Sequence, residues 1–197
     1  MDKARWDRIA AAGGLVGVVL FVVGAVVLGK PPDLGDDATT VAHFYIVNRG
    51  PILWSAWFQG LAVLTIIWFI AALGAAMRNA GEGRLAAAMG IAFAITFAIG
   101  GVAAITRAAL GFKIAEEVDS GVTLALYHLT VYMDTVSSVI GAGLYAAVAG
   151  AAIRSRFLPA WWGWLSGLAA LTATVPLASG KVMVLSVVVG SVIATMV

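Results

Sequence analysis

The chain has 197 residues, 62% of them hydrophobic and only 11% charged, whereas a soluble domain is about a quarter charged. Its mean hydropathy is +1.01, too apolar for a water-exposed surface, and a net charge of +2 gives no reason to expect nucleic acid as a partner. There is no cysteine, which excludes disulfides, iron–sulfur clusters and thiol chemistry. Composition and length predict one all-α domain over 1–197, an integral membrane bundle of about six transmembrane helices.

Lys3, Arg5 and Arg8 precede an apolar run over 9–29, about 21 residues and long enough to span the ~30 Å of bilayer hydrocarbon. A signal peptide also begins with basic residues. This run, however, ends in Gly29-Lys30-Pro31-Pro32 without a small-residue cleavage site, so a retained anchor is expected. Pro31-Pro32 stops the first helix. Asp36, Asp37, Thr39 and Thr40 are all candidate N-caps for a short second helix. Val41, Phe44 and Tyr45 stand at helical spacing, and Gly50-Pro51 is expected to end the element. The reading is a short amphipathic helix near 40–49, lying on the extracytoplasmic ends of the bundle.

Further membrane-length apolar segments lie over 52–77, 85–109, 122–153, 160–178 and 182–197. They are read as helices because they are long and lack period-2 alternation. Arg78 to Arg84 form a tight turn. Pro159 opens the fifth helix at its favoured first-turn position. Trp161, Trp162 and Trp164 come next, at an interface where indoles are enriched. The last segment, about 16 residues, is short for a span.

Basic residues in short loops set orientation. With the N-terminus in the cytoplasm of a cell (plasma) membrane, Lys3, Arg5, Arg8, Arg78, Arg84, Arg154 and Arg156 lie inside. Lys30, Arg49, Lys113 and Lys181 lie outside, with Arg107 at the border. Asp33, Asp36, Asp37, Glu116, Glu117 and Asp119 make the outer face acidic.

An ionisable residue within an apolar span is a functional candidate. Asp134 falls in the long fourth segment. Counting back from Arg154 at about 1.5 Å per residue sets it ~30 Å away, near the outer interface. The same count from Arg84 brings Arg107 to a similar depth on the preceding helix, so the two are expected to pair, either as a structural bolt or as part of a proton or ligand site. Tyr127, Thr130, Asp134, Ser138, Gly141 and Tyr145 form one polar or small stripe along the fourth helix, facing the bundle or a cavity.

His43 on the short outer helix and His128 on the fourth helix lie on the same side as Asp134. Two histidines and a carboxylate are metal-ligand types, but no H-x-x-x-H or H-E-x-x-H spacing supports a metal site. A haem would need both histidines on facing helices at one depth. No cofactor is expected, and the architecture leaves room for a bound lipid. Tyr45 completes the set of ligand-binding or ion-pair candidates: Arg107, Asp134, Tyr127, His128, His43, Tyr45, Thr130 and Ser138. Gly13, Gly17 and Gly24 share one face of the first helix; Gly90, Gly100, Gly101, Gly141 and Gly143 mark the third and fourth. They permit close helix approach, within the bundle or toward a second copy or another membrane subunit.

The run Arg5-Trp-Asp-Arg-Ile-Ala-Ala-Ala-Gly-Gly, the outer segment from Pro31 to Pro51 with its Asn48-Arg49, the close of the second helix in Phe69-Ile-Ala-Ala-Leu, and Phe157-Leu-Pro-Ala-Trp-Trp-Gly-Trp-Leu resemble a family of small actinobacterial multi-pass membrane proteins of unknown function. The resemblance spans most of the chain. It implies a six-helix fold and brings no activity, ligand or catalytic residue.

Three functions stay open on these residues. The first is a non-catalytic accessory subunit, or a binding protein for lipid or another hydrophobic small molecule of the cell envelope. The second is a small transporter or channel using the stripe around Asp134. The third is a membrane enzyme with an outer-facing His/Asp/Tyr site. No phosphate-binding loop, nucleophile elbow or paired-acid motif appears.

Overall fold

The computed structural model describes residues 3–156 and 158–174. Over these the chain is all-helical: α1 (Lys3–Leu28), α2 (Ala38–Val47), α3 (Arg49–Asn79), α4 (Gly83–Ala109), a π-helical turn (Leu110–Ile114), α5 (Ala115–Glu117), α6 (Ser120–Ser155) and α7 (Ala160–Thr174). The expected sixth span over 182–197 lies outside the described residues. Among the described residues three helices are long and apolar enough to cross a membrane: Arg49–Asn79, the continuous stretch Gly83–Glu117, and Ser120–Ser155.

The long helices pack in antiparallel neighbours, α1 against α3, α4 against α6 and α6 against α7, with a lighter joint between α3 and α4. The α1–α3 contact is made by glycine. A Cβ at Gly17 would stand 2.5 Å from Ile66 Cγ1 and 3.1 Å from the Ala62 carbonyl oxygen, and one at Gly24 3.1 Å from the Ser55 carbonyl oxygen. The backbones are therefore as close as the absence of side chains allows. The glycine face of α1 is thus occupied within the chain.

Two clusters form the core. Phe69, Leu73, Met77, Ala86, Met89, Ala147, Val148 and Ala151 close one end of the bundle. The α3–α4 turn at that end stops α3 through Gly81, whose φ of +87° lets the Glu82 amide donate back to the Met77 carbonyl at 2.9 Å; this is the six-to-one bond of a left-handed helix stop. Glu82 also meets Arg154 of α6 at 3.6 Å. Val41, Tyr45, Ile52, Leu110, Ala115 and Tyr127 form the second cluster at the opposite end.

At that second end α2 lies slightly earlier in the chain than expected, over Ala38–Val47. Asp37 is the N-cap, accepting from the Thr40 amide at 2.7 Å. Gly50-Pro51 does not end the element, which corrects the sequence expectation: both residues lie in the first turn of α3. Proline is tolerated there because the first helical amides have no intrahelical acceptor. The corner is Asn48 instead. Its amide and side-chain nitrogens both donate to the Phe44 carbonyl at 2.9 Å, while its own carbonyl accepts from Ile52 at 3.0 Å. One residue thus closes α2 and opens α3.

Candidate functional site

The polar side chains converge on the end of the bundle capped by α2. α4 carries Arg107 in its last turn, and α6 carries Asp134 near the middle of its 36 residues. The Arg107 guanidinium donates to the Asp134 carboxylate across the α4–α6 contact. Their side chains are 21% and 25% exposed, so the pair is largely withdrawn from water and from counter-ions.

Tyr127 and Tyr45 pack edge-to-face beside it, ring centroids 6.3 Å apart. The Tyr127 hydroxyl donates to the Pro32 carbonyl, and His128 Nε2 lies 3.3 Å from the Leu34 carbonyl oxygen. These two α6 residues hold the loop between α1 and α2 against the bundle. Thr130 and Ser138 turn back onto their own helix, donating to the carbonyls of Tyr127 at 2.8 Å and Asp134 at 2.9 Å. Lower on the stripe, a Cβ on Gly141 would contact Thr96 of α4. The stripe therefore runs into helix contacts, and its hydroxyls largely satisfy backbone carbonyls.

His43 stands apart, exposed on the outer side of α2. The weak metal set of His43, His128 and Asp134 is not assembled: among the described residues no three His, Cys, Asp or Glu side chains come together to hold a metal. The geometric reason is that α2 turns Val41, Ala42 and Tyr45 inward, which points His43 away, while the Asp134 carboxylate is taken by Arg107.

Sequence reasoning missed two residues. A small, partly open crevice, with room of about 10 Å³ or about one water, lies between α2, α3 and α4, with Leu28 of α1 at its side. Its polar lining is Tyr45, Ser55, Gln59 and Arg107, and its apolar walls include Leu28, Ile52 and three alanines. Ser55 and Gln59, four residues apart in an otherwise apolar helix, were the available signal. Gln59 Nε2 donates to Ser55 Oγ at 3.0 Å. Tyr45 is 2% exposed, and burial pushes its phenol well above the ordinary tyrosine value. It is a neutral donor at any physiological pH. At the same end of the chain's helices Arg49, in the first turn of α3, lies over the Phe112 ring at 4.9 Å.

Comparison with protein-family models, with curated proteins and with solved structures gave no match. The functional reading therefore stands on the sequence and the geometry of this chain.

Proposed function

We propose that the chain is a six-span membrane protein of the plasma membrane with a cytoplasmic N-terminus, acting as a non-catalytic accessory subunit or as a holder of a lipid-like molecule. The observation that carries this is the outward surface of the long helices. Leu64 and Ile67 on α3, Ile91, Ile95 and Ile105 on α4, and Val136 and Val139 on α6 are all exposed. Contiguous apolar surface on this scale needs lipid or protein beside it. Within this apolar surround, Arg107 and Asp134 neutralise each other near one end of the bundle. The distribution of basic residues, seven toward one face against four or five toward the other, supports the orientation.

Since α3 fills the glycine face of α1, a second copy or partner subunit would use other surfaces. Gly90 and Gly101 on α4 are open, with nothing among the described residues within 4 Å of an added Cβ. Native mass spectrometry of the protein released in mild detergent tests the proposal. A co-purifying subunit or retained lipid is expected; a chain recovered without detergent in the soluble fraction would refute the membrane reading, and a bare monomer the binding role.

A transporter is the second reading, favoured by the crevice reaching Arg107 beside Asp134. It requires that Asp134→Asn change flux in proteoliposomes. The enzyme reading draws less support, because His43 faces away from Asp134.

A further inference from the structure

We infer that the end of the bundle bearing Arg78, Arg84, Arg154 and Arg156 docks on the phosphate headgroups of anionic phospholipids in the leaflet it faces. The inference rests on the membrane reading above and names the lipid class of that reading. Three helix ends bring the charges together. Arg78 stands in the last turn of α3, Arg84 in the first turn of α4 and Arg154 in the last turn of α6. Arg156 caps α6 in a left-handed conformation, with φ of 52°. All four are exposed. α1 runs antiparallel to α3, with Gly14 at Phe69 and Gly24 at Ser55. Its first turns, which carry Lys3, Arg5 and Arg8 against Asp7, therefore start at the same end.

Little at this end neutralises the arginines. Glu82 is engaged by Arg154 at 3.6 Å, and only 15% of its side chain is exposed. Arg78, Arg84 and Arg156 make no ion pair among the described residues. The opposite end has the reverse balance. Lys30 is paired with Asp33 at 3.2 Å and Lys113 with Glu117 at 2.6 Å, which leaves Asp36, Asp37, Glu116 and Asp119 there against Arg49. An anionic surface is thus attracted to one end of the bundle and repelled from the other.

Two observations favour a phospholipid over a soluble polyanion. The four exposed cations are all arginines, whose planar guanidinium can donate two parallel hydrogen bonds to one phosphate. The same end also carries exposed indoles. Trp162 is buried and stacks on Trp161, ring centroids 4.3 Å apart. Trp161 and Trp164, early in α7, are left 50% and 72% exposed. Indoles settle at the boundary between headgroups and acyl chains. Ile153 on α6 and Leu168 on α7 are exposed as well, so the helices behind the arginines present apolar side chains. A molecule with a phosphate above an acyl chain matches both surfaces at once.

The test uses the whole protein, delipidated in detergent and examined by native mass spectrometry. The lipid probes are phosphatidylglycerol and phosphatidylcholine with identical acyl chains, supplied at equal concentration. Phosphatidylglycerol is expected to be retained at least about fivefold more, roughly the contribution of one basic residue beside an anionic surface. Replacing Arg84→Gln together with Arg156→Gln should remove most of that preference without lowering the unfolding temperature, since both side chains are exposed. Lys30→Gln with Lys113→Gln, at the opposite end, should leave it intact. Inorganic phosphate alone is the probe for a free-anion site, and it should not displace phosphatidylglycerol. Equal retention of the two lipids, a preference that survives the arginine replacements, or displacement by inorganic phosphate would overturn the inference. Failure of the underlying membrane reading registers separately, as recovery of the chain without detergent in the soluble fraction.

Discussion

Arg107 on α4 and Asp134 on α6 are joined as an ion pair across two antiparallel helices, at the depth where α2 covers the bundle. Their positions differ by 27 residues, so the pair sets the register of the two helices against each other. Removing one partner leaves the other charge withdrawn from water, whereas removing both does not. Asp134→Asn or Arg107→Leu alone should each cost about 1–3 kcal/mol, below the ~3–5 kcal/mol of a fully buried pair because a quarter of each side chain is still accessible. The double replacement Arg107→Leu with Asp134→Leu should cost less than either single change. Thermal unfolding of the four proteins in one detergent measures the coupling; strictly additive losses would show that the two charges do not depend on each other.

The α1–α3 contact makes a sharper demand. Gly17→Leu has to displace Ile66 and the side chain of Thr65 and then meet the α3 backbone, so a loss of about 1–3 kcal/mol is expected from overpacking. Gly90→Ala serves as the control, since its Cβ meets nothing among the described residues within 4 Å. It should leave the unfolding temperature unchanged or raise it slightly through better helix propensity.

Tyr127 ties the α1–α2 loop to α6 through the Pro32 carbonyl. Tyr127→Phe keeps the ring contact with Tyr45 and removes only the donor. The expected cost is about 1 kcal/mol, concentrated in the loop. Hydrogen exchange should rise at Asp33 to Asp36 with little change in α3 or α6; a uniform rise over the whole chain would contradict a local tether.

The α2 cap has a pH signature. Hydrogen bonds from the Thr40 side chain and amide and from the Thr39 side chain hold the Asp37 carboxyl below its ordinary value of 3.8. A depressed folded value means that the cap stabilises α2 fully above the unfolded value and is lost as pH falls through the folded one. The Thr40 amide resonance should therefore titrate below about pH 4, and Asp37→Asn should remove that transition while retaining part of the cap.

Much of this fold is local and was open to reading from the chain. Expected helices over 52–77, 85–109 and 122–153 stand in the structure as Arg49–Asn79, Gly83–Ala109 and Ser120–Ser155, because the length and apolarity of a segment depend on consecutive residues. The level of Arg107 with Asp134 comes from the rise per residue, and the Asp37 cap from side-chain chemistry. The α2–α3 corner was not legible in the same way. Gly50-Pro51 breaks a helix in its interior but fits in its first turn, and only the position of Asn48 decides which applies.

Sequence by itself thus determined the helical character of the described residues, their long apolar helices, and which ionisable residues fall within them. Tertiary structure decided which helix lies on which: that α3 consumes the glycine face of α1, that α2 turns Tyr45 inward and His43 out, and that Ser55, Gln59 and Arg107 share one crevice. The physical reason is that helix length and propensity are properties of neighbours along the chain. A crevice of about 10 Å³ depends instead on alanines from two helices meeting at one height, which only close packing fixes. Arg107 and Asp134 could be expected to meet from their depth alone; the burial of Tyr45 on the inner side of α2 beside them could not.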